Sequence, residues 1–414
     1  MESCIREEIW IFWSKRDLIK LSQYGFIPHS SCTEQLLQYL DDVTSAVDKG
    51  DWVDVVYLDF KKAFNSVPHV RLLCKLSALG IKGTLLNWIR SFLYDRKEVE
   101  IAEQKKSNAI KMTSGVPQGS CLGPLLFIAY VNDIDDCLKF TSILKYADDL
   151  KIYLKFSCYN QQHGFSSMQS DLNSLQQWSE DWLLNFNILK CTTLHFGHRN
   201  PNHVYQLANQ DLSNTAKEKD LGIQICSDLK PSSQVTNAIR KAERSLAILK
   251  RTVVNRGSVF VKLYKQLVRP YLEYATPVWN PYSRRDIQLL EQVQKRATKC
   301  VAGMRKNSYE DRLVSLNLET LEKRRVKYDL TEVFKVLKKL SAIDFNKLFT
   351  FHETSIQTRG HRFKLYKEHS RHDFRKYFFS ITIIEAWNNL PSDIVESDSP
   401  FQFKCRLNKH ITNI

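Results

Sequence analysis

The chain has 414 residues, with 43% hydrophobic and 25% charged positions and a formal net charge of +15, which allows two or three domains with a real core. Its ten cysteines include no Cys-x-x-Cys pair, so neither a zinc finger nor a disulfide framework is indicated. The longest apolar run, Cys121 to Val131, is interrupted by Gly123 and Pro124 and is too short to span a bilayer. The acidic start Met1-Glu2-Ser3-Cys4 has no signal-peptide pattern, so an intracellular, reducing compartment is expected.

Residues 1 to 50 read as helical around a break at Gly25-Phe26-Ile27-Pro28, with Leu36, Leu37 and Leu40 on a core-facing stripe. Val55 to Leu58 is a short continuous apolar run rich in β-branched residues, the pattern of a strand covered on both faces. It ends in Asp59, followed by Lys61 and Lys62. A carboxylate at a strand end beside two lysines can hold a metal and the phosphates it carries, or simply cap a helix. A helix pair is expected over 70 to 94 with Gly80 as the stop, and a surface hairpin over 98 to 113. In Ser114-Gly115-Val116-Pro117-Gln118-Gly119-Ser120 the glycines permit close backbone approach to a ligand, and Gln118 offers a neutral hydrogen-bonding head. An apolar helix from Leu125 to Asn132 follows.

Ile143 to Leu154 alternates apolar and polar residues on both sides of Asp148-Asp149, the signature of two antiparallel strands joined by a tight turn. Two carboxylate clusters at neighbouring strand ends suit a pair of hard cations that take oxygen ligands. Met168, Leu172, Leu175, Trp178 and Trp182 follow helical spacing and read as core. Cys191, His195, His198 and His203 match no common zinc spacing, and a strand would send Cys191 and His198 to opposite faces. They read as structural. Residues 198 to 219 are the best boundary.

From Lys230 to Lys339 there are 25 Lys and Arg against 10 Asp and Glu, so the whole formal excess of +15 falls in that block. Such a block suggests a polyanion partner. Val235, Ile239, Ala242, Leu246 and Leu249 mark a helix whose other face carries Arg240, Lys241, Arg244, Lys250 and Arg251, the candidate nucleic-acid contacts. The tail from about 345, with Trp387-Asn388-Asn389-Leu390-Pro391 as a helix stop, reads as a small lobe. The expected domains are therefore 1–200, 201–344 and 345–414.

Tyr57-Leu58-Asp59-Phe60-Lys61-Lys62-Ala63-Phe64, Gly115-Val116-Pro117-Gln118-Gly119-Ser120 and Tyr146-Ala147-Asp148-Asp149 occur in order and at a telling spacing. With Gln23-Tyr24-Gly25-Phe26, Asp220-Leu221-Gly222, Glu273-Tyr274-Ala275 and Trp387 to Pro391, they resemble the reverse transcriptases of non-long-terminal-repeat (LINE-type, jockey-like) retrotransposons over nearly the whole chain. The resemblance implies an α+β right-hand polymerase: a palm with an antiparallel sheet and partial fingers, then a mainly helical thumb and C-terminal region. It implies an RNA template, a DNA primer, deoxynucleoside triphosphates and two Mg²⁺ ions, with Mn²⁺ as a substitute, and no membrane. A nuclear site would follow from action on genomic DNA.

By the same resemblance Asp59, Asp148 and Asp149 are metal ligands, and Lys190 protonates the leaving pyrophosphate. Phe60, Lys62, Ala63, Phe64 and Gln118 face the incoming nucleotide, Phe64 as the block to a 2′-hydroxyl. Gly119 and Tyr146 touch template or primer. Asn65 stands where the family has Asp, just after the block. The family's endonuclease and the start of its fingers would lie upstream of Met1, so a truncated copy that polymerises poorly is expected. Two other readings stay open: a catalytically decayed nucleic-acid-binding remnant, and an RNA-dependent RNA polymerase, against which Ala147 and Phe64 argue.

Overall fold

The apolar run at 52–58 forms the middle of a five-stranded sheet. In the computed structural model, which describes residues 1–94, 96–99, 101–102, 105–352 and 360–412, the strands are β1 (Trp52–Leu58), β2 (Ser142–Tyr146), β3 (Asp149–Phe156), β4 (Thr192–Phe196) and β5 (Ser213–Thr215). Their order is β5-β4-β1-β3-β2, with β1 antiparallel to β3 and β4, and β5 parallel to β4. Every residue of β1 except Tyr57 is buried, as the sequence reading of a strand covered on both faces expects. The class is α+β, as expected.

The chain divides into two compact units. The first holds Met1–Ser31 and Asp51–Ala216, and the second Cys32–Gly50 and Lys217–Ile414. In the first unit the helices Glu2–Ser14, His69–Ala78, Gly83–Leu93, Gly123–Tyr130 and Gln161–Trp182 supply one core with the sheet. The stop at Gly80 has φ +87, a left-handed end that glycine tolerates. Lys97–Glu98 pairs with Ile110–Lys111 and Ile101–Ala102 with Lys105–Lys106, giving the expected hairpin; residues 100 and 103–104 within it lie outside the described residues.

Two buried charges in this unit, Asp54 and Lys75, are well partnered. Asp54, on β1 and 0% exposed, lies 2.7 Å from His195 Nδ1 and accepts from Asn200 Nδ2 at 2.8 Å and Tyr205 Oη at 2.5 Å. This network joins β1 to β4 and the segment beyond it. It gives His195 a structural partner, as the sequence reading expects. Lys75 donates to Tyr130 O and to Asp133 Oδ1, both at 2.6 Å, and its ammonium sits 3.7 Å from the Trp182 ring centroid. Burial nonetheless pushes its pKa down to about 8.

The second unit is mainly helical. It contains the hairpin Lys217–Asp220 with Ile223–Cys226 and the long helices Ser232–Thr252, Arg284–Lys299, Leu321–Leu337 and Pro400–Thr412. Two expected boundaries differ here. The tail is no lobe of its own: Phe403 stacks on Phe334 at 4.4 Å, and Trp387, 0% exposed, joins the same core. The helix Cys32–Lys49 belongs with this unit. Its Asp41 accepts from Arg375 Nη1 at 2.7 Å and Ser380 Oγ at 2.5 Å, and its Asp48 from the backbone N–H groups of Arg371 and His372. Apolar periodicity shows that a helix face must be covered but not by which part of the chain. No helix among the described residues is long and apolar enough to cross a membrane.

The turn between β2 and β3 is backed by a short stretch from the chain start. Tyr24 N donates to Lys145 O and Lys145 N to Ser22 O, each at 2.8 Å, so residues 22–24 run parallel to β2. Gly25 then passes so close that a Cβ there would lie 2.3 Å from Ala147 N and 2.8 Å from Tyr146 C. Backbone cannot yield as a flexible side chain would. Gly25→Ala is expected to destabilise the chain by about 1–3 kcal/mol, the usual range for overpacking. Denaturant unfolding would measure it, and an unchanged midpoint would mean that the turn tolerates displacement.

Candidate active site

Strand register brings the carboxylates together. β1 and β3 pair from Trp52↔Phe156 to Leu58↔Leu150, so one further step sets Asp59 beside Asp149. β2 and β3 close with Tyr146↔Asp149, leaving Ala147 and Asp148 as the two turn residues. Ala147 takes φ +59, a left-handed conformation that costs a residue with a Cβ roughly 1–2 kcal/mol. Gln23 holds it there, its Oε1 accepting from Ala147 N at 3.0 Å and Gly25 N at 2.9 Å. Behind the turn, fully buried Lys145 is paired with Asp135.

The Asp59 end has its own clamp. Lys61 N donates to Asn185 O at 2.8 Å and Asn187 N to Asp59 O at 2.6 Å. Phe60 and Phe186 form a bridge between these stretches, with their rings stacked at 4.7 Å. The same turn returns Lys190 to the site, with Nζ 2.9 Å from Asp59 Oδ2. Asp59 Oδ2 is closed to solvent, and the lysine ammonium is its one described partner. The hydrogen bond and charge of Asp59 raise the Lys190 pKa, so the lysine stays protonated. Cys191 is buried beneath, its thiol pushed up to about 11 by that burial.

Asp148 is the electrostatically costly member. Burial first, and then the charge of Asp59, raise its pKa above the usual carboxylate range. The two carboxylates therefore sense one another across the strand ends. Asp149 is exposed. No three His, Cys, Asp or Glu side chains among the described residues make a ready cage for one ion. Two carboxylates on adjacent strand ends do suit Mg²⁺, which is usually held by one or two carboxylates plus substrate phosphates.

A second wall faces this platform. Phe64 stacks on Phe127 at 4.5 Å and meets Phe26 edge-on at 6.4 Å, so its half-buried ring is fixed from two sides. The loop at 114–118 packs on the same stretch: Val116 N donates to Phe64 O, Gly115 N to Val67 O and Ser114 Oγ to Asn65 O. Gly115 has φ +92, and a Cβ there would lie 2.8 Å from Asn65 Cα, which accounts for the glycine. Exposed Gln118 donates to Asn65 Oδ1 at 3.2 Å. An oxygen acceptor at position 65 thus orients Gln118, and Asn supplies it as Asp would.

Other predicted residues lie elsewhere. The Phe60 ring and Ala63 are in the core, whereas Lys62 and Gly119 are exposed and Tyr146 is half-buried. On the helix Ser232–Thr252, Arg240, Arg244 and Arg251 are exposed on one face within about 40°, given about 100° per residue, while Lys241 and Lys250 flank it half-buried. Sequence reasoning took Gln23 and Gly25 only as landmarks and Asn187 only as the close of the preceding helical segment, and it missed Asn185. The signal available for the first pair was a glycine placed where no helix or hairpin needed one.

Residues 2–235 match the family model described as reverse transcriptase (RNA-dependent DNA polymerase). The chain belongs to the reverse transcriptase family. It is 26% identical, over 293 residues, to the RNA-directed DNA polymerase from mobile element jockey of Drosophila funebris, covering 68% of this chain and 32% of that one. It is 24% identical over 291 residues to the probable RNA-directed DNA polymerase from transposon X-element of Drosophila melanogaster, with the same coverage. The chain thus spans about a third of the length of the curated relatives it matches. Among solved structures it is similar to apo telomerase from Candida Tropicalis, at 11% identity and TM-score 0.45, over 83% of this chain and 55% of that chain. The expected kinship with LINE-type reverse transcriptases therefore stands.

A reverse transcriptase carboxylate with a raised pKa makes folding depend on pH. Asp148 binds its proton more tightly folded than unfolded, so stability present at low pH is lost as pH rises through the folded pKa. Asp148→Asn removes that loss. In chelator at pH 7 the variant should melt above the wild type, and the gap should close below the ordinary carboxylate range. A wild type that melts equally high at pH 7 would show that the charge is not strained.

Proposed function

We propose that the chain is an RNA-directed DNA polymerase that extends a DNA primer on an RNA template. The observation that carries this reading is the juxtaposition of Asp59 with the Asp148-Asp149 turn at neighbouring strand ends, inside the segment that matches the reverse transcriptase family. Reverse transcriptases generally depend on divalent metal. The residues fit such ions: Asp59 Oδ2 is buried with only an ammonium beside it, and the Asp148 pKa is raised by burial first and then by the negative charge of Asp59. A cation would relieve both.

Asp59, Asp148 and Asp149 would hold two Mg²⁺ ions. Bound there, the metals would lower the pKa of the primer hydroxyl and neutralise charge on the triphosphate and its leaving pyrophosphate. The protein's own groups supply position. The clamp at 185–187 fixes the Asp59 backbone, and Gln23 fixes the turn. Lys190 neutralises Asp59 in the resting state and carries a proton on its Nζ. Once its carboxylate partner is otherwise satisfied, that proton is available to a leaving phosphate oxygen. Phe64, unable to swing away from Phe127 and Phe26, presents a rigid wall to the sugar, and Gln118 is aimed by Asn65. The arginine face at 240, 244 and 251 suits phosphodiester contacts.

Primer extension on an RNA template tests the reading. Asp59→Ala and Asp148→Ala should each lower the rate at least about a hundredfold, a loss of about 3 kcal/mol in transition-state stabilisation. Extension that is absent in the wild type, or equal in all three, would leave a nucleic-acid-binding remnant as the better account.

The Phe64 wall makes a separate prediction. A clash rejects a substrate more sharply than a missing contact does. Phe64→Val should raise ribonucleotide incorporation relative to deoxynucleotide by about 10–200-fold, the span of 1–3 kcal/mol. Competitive incorporation assays read the ratio, and an unmoved ratio would assign Phe64 to packing alone.

A further inference from the structure

The second unit contains a cavity of about 670 Å³ whose basic lining residues are Lys265, Arg269, Arg324, Arg325, Lys327 and Lys404. The volume falls in the usual range for small-ligand sites, roughly 300–1,000 Å³. Two acids, Glu273 and Glu319, also line it, and both are already engaged. Glu273 takes a two-pronged contact from Arg324, with Nη2 at 3.0 Å, and has Arg269 Nε 3.4 Å away. Glu319 pairs with Lys327. Arg325, Lys265 and Lys404 therefore contribute positive charge that no lining carboxylate balances.

Arg325 is the telling member. It is 2% exposed, and its Nε and Nη2 are buried with no hydrogen-bond partner. A desolvated guanidinium with idle donors is costly, and its fork geometry fits a doubly accepting oxyanion. The carboxyls whose charge acts on it are Glu291, Asp329, Glu273 and Glu322. Glu291 is bound to Tyr309 Oη and Leu321 N, and Glu273 to Arg324. Glu322 is exposed. Asp329 is fully buried, which pushes its pKa up to about 8, and its Oδ2 already accepts from Asn280 Nδ2 at 3.1 Å. Lys265, which also lines the cavity, sits in a π-helical stretch, Tyr264–Val268, immediately before Arg269-Pro270, an irregularity that often marks working sites.

We propose that this cavity binds a phosphoryl group, with Arg325 as the buried fork and Lys265 and Lys404 as the rim cations. The phosphoryl comes from a free polyphosphate or from the phosphodiester of a bound strand. The site lies wholly within the second unit and stands whether or not the chain polymerises.

Calorimetric titration of the full chain in chelator, with pyrophosphate in one arm and a 12-nucleotide oligothymidylate in the other, decides it. At least one probe should bind saturably and raise the melting temperature. The double variant Lys265→Ala/Lys404→Ala should weaken that binding about tenfold or more. Arg325→Gln, if it folds, should abolish the ligand-dependent rise in melting temperature even where its own melting point is near wild type. If Arg325→Gln does not fold, the rim variant decides alone. Pyrophosphate binding that oligothymidylate does not displace identifies a free polyphosphate site. Oligothymidylate binding that the same variants weaken, with pyrophosphate silent, identifies a strand contact. No binding of either probe at millimolar concentration, or binding that the rim variant leaves unchanged, overturns the proposal.

Discussion

Two negative charges can be offered at one strand end only if the turn beneath them is held against its own preferences. Ala147 sits in a left-handed conformation that favours glycine, and Asp148 is both half-buried and repelled by Asp59. Neither feature stabilises the fold. What fixes them is Gln23, which donates nothing to the turn but accepts from it, and Gly25, whose missing Cβ lets the two backbones touch. Each such hydrogen bond contributes about 1 kcal/mol net, comparable to the strain it opposes. The margin is supplied by the surroundings, where Lys145 and Asp135 lock the strand leading into the turn.

The Asp59 side solves the same problem by different means. β1 simply runs out at Leu58 and the backbone is caught by Asn185 and Asn187, and the nearest left-handed residue is Lys62, at φ +49, three positions after Asp59. The charge itself is handled by Lys190, an exposed side chain whose partner is one carboxylate oxygen. An exposed ion pair contributes little to stability, which suits a group that must be released. The two ends of the site thus differ in kind, with one rigidly strained and the other loosely neutralised.

Much of this was legible in the residues. The hairpin at 142–156 announced itself through two-residue alternation, β1 through its β-branched run, and the stop at Gly80 through position alone. The ordered motifs located the site because metal chemistry restricts residue type as well as spacing. What escaped was pairing without periodicity: residues 22–24 form a single rung beside β2, too short to leave a pattern. Arg325 escaped for the opposite reason. Lys323-Arg324-Arg325 looks like a solvated charge run, yet on the helix Leu321–Leu337 the stripe Leu321, Arg325, Asp329 and Glu332 faces inward. Charged residues at core spacing were visible, and such conflict between pattern and chemistry is where function is to be sought.

The membership of Cys32–Lys49 in the second unit bears on how the protein is made. Asp41 waits for Arg375 and Ser380, which follow it by 334 and 339 residues. At a ribosomal rate of about 5–20 residues per second, those two contacts to Asp41 form no sooner than roughly 17–70 s after the helix is made. The residues on either side of it meanwhile belong to the first unit and can close around the sheet as soon as β5 is synthesised. The helix is thus flanked in sequence by the first unit yet completed only by residues of the second.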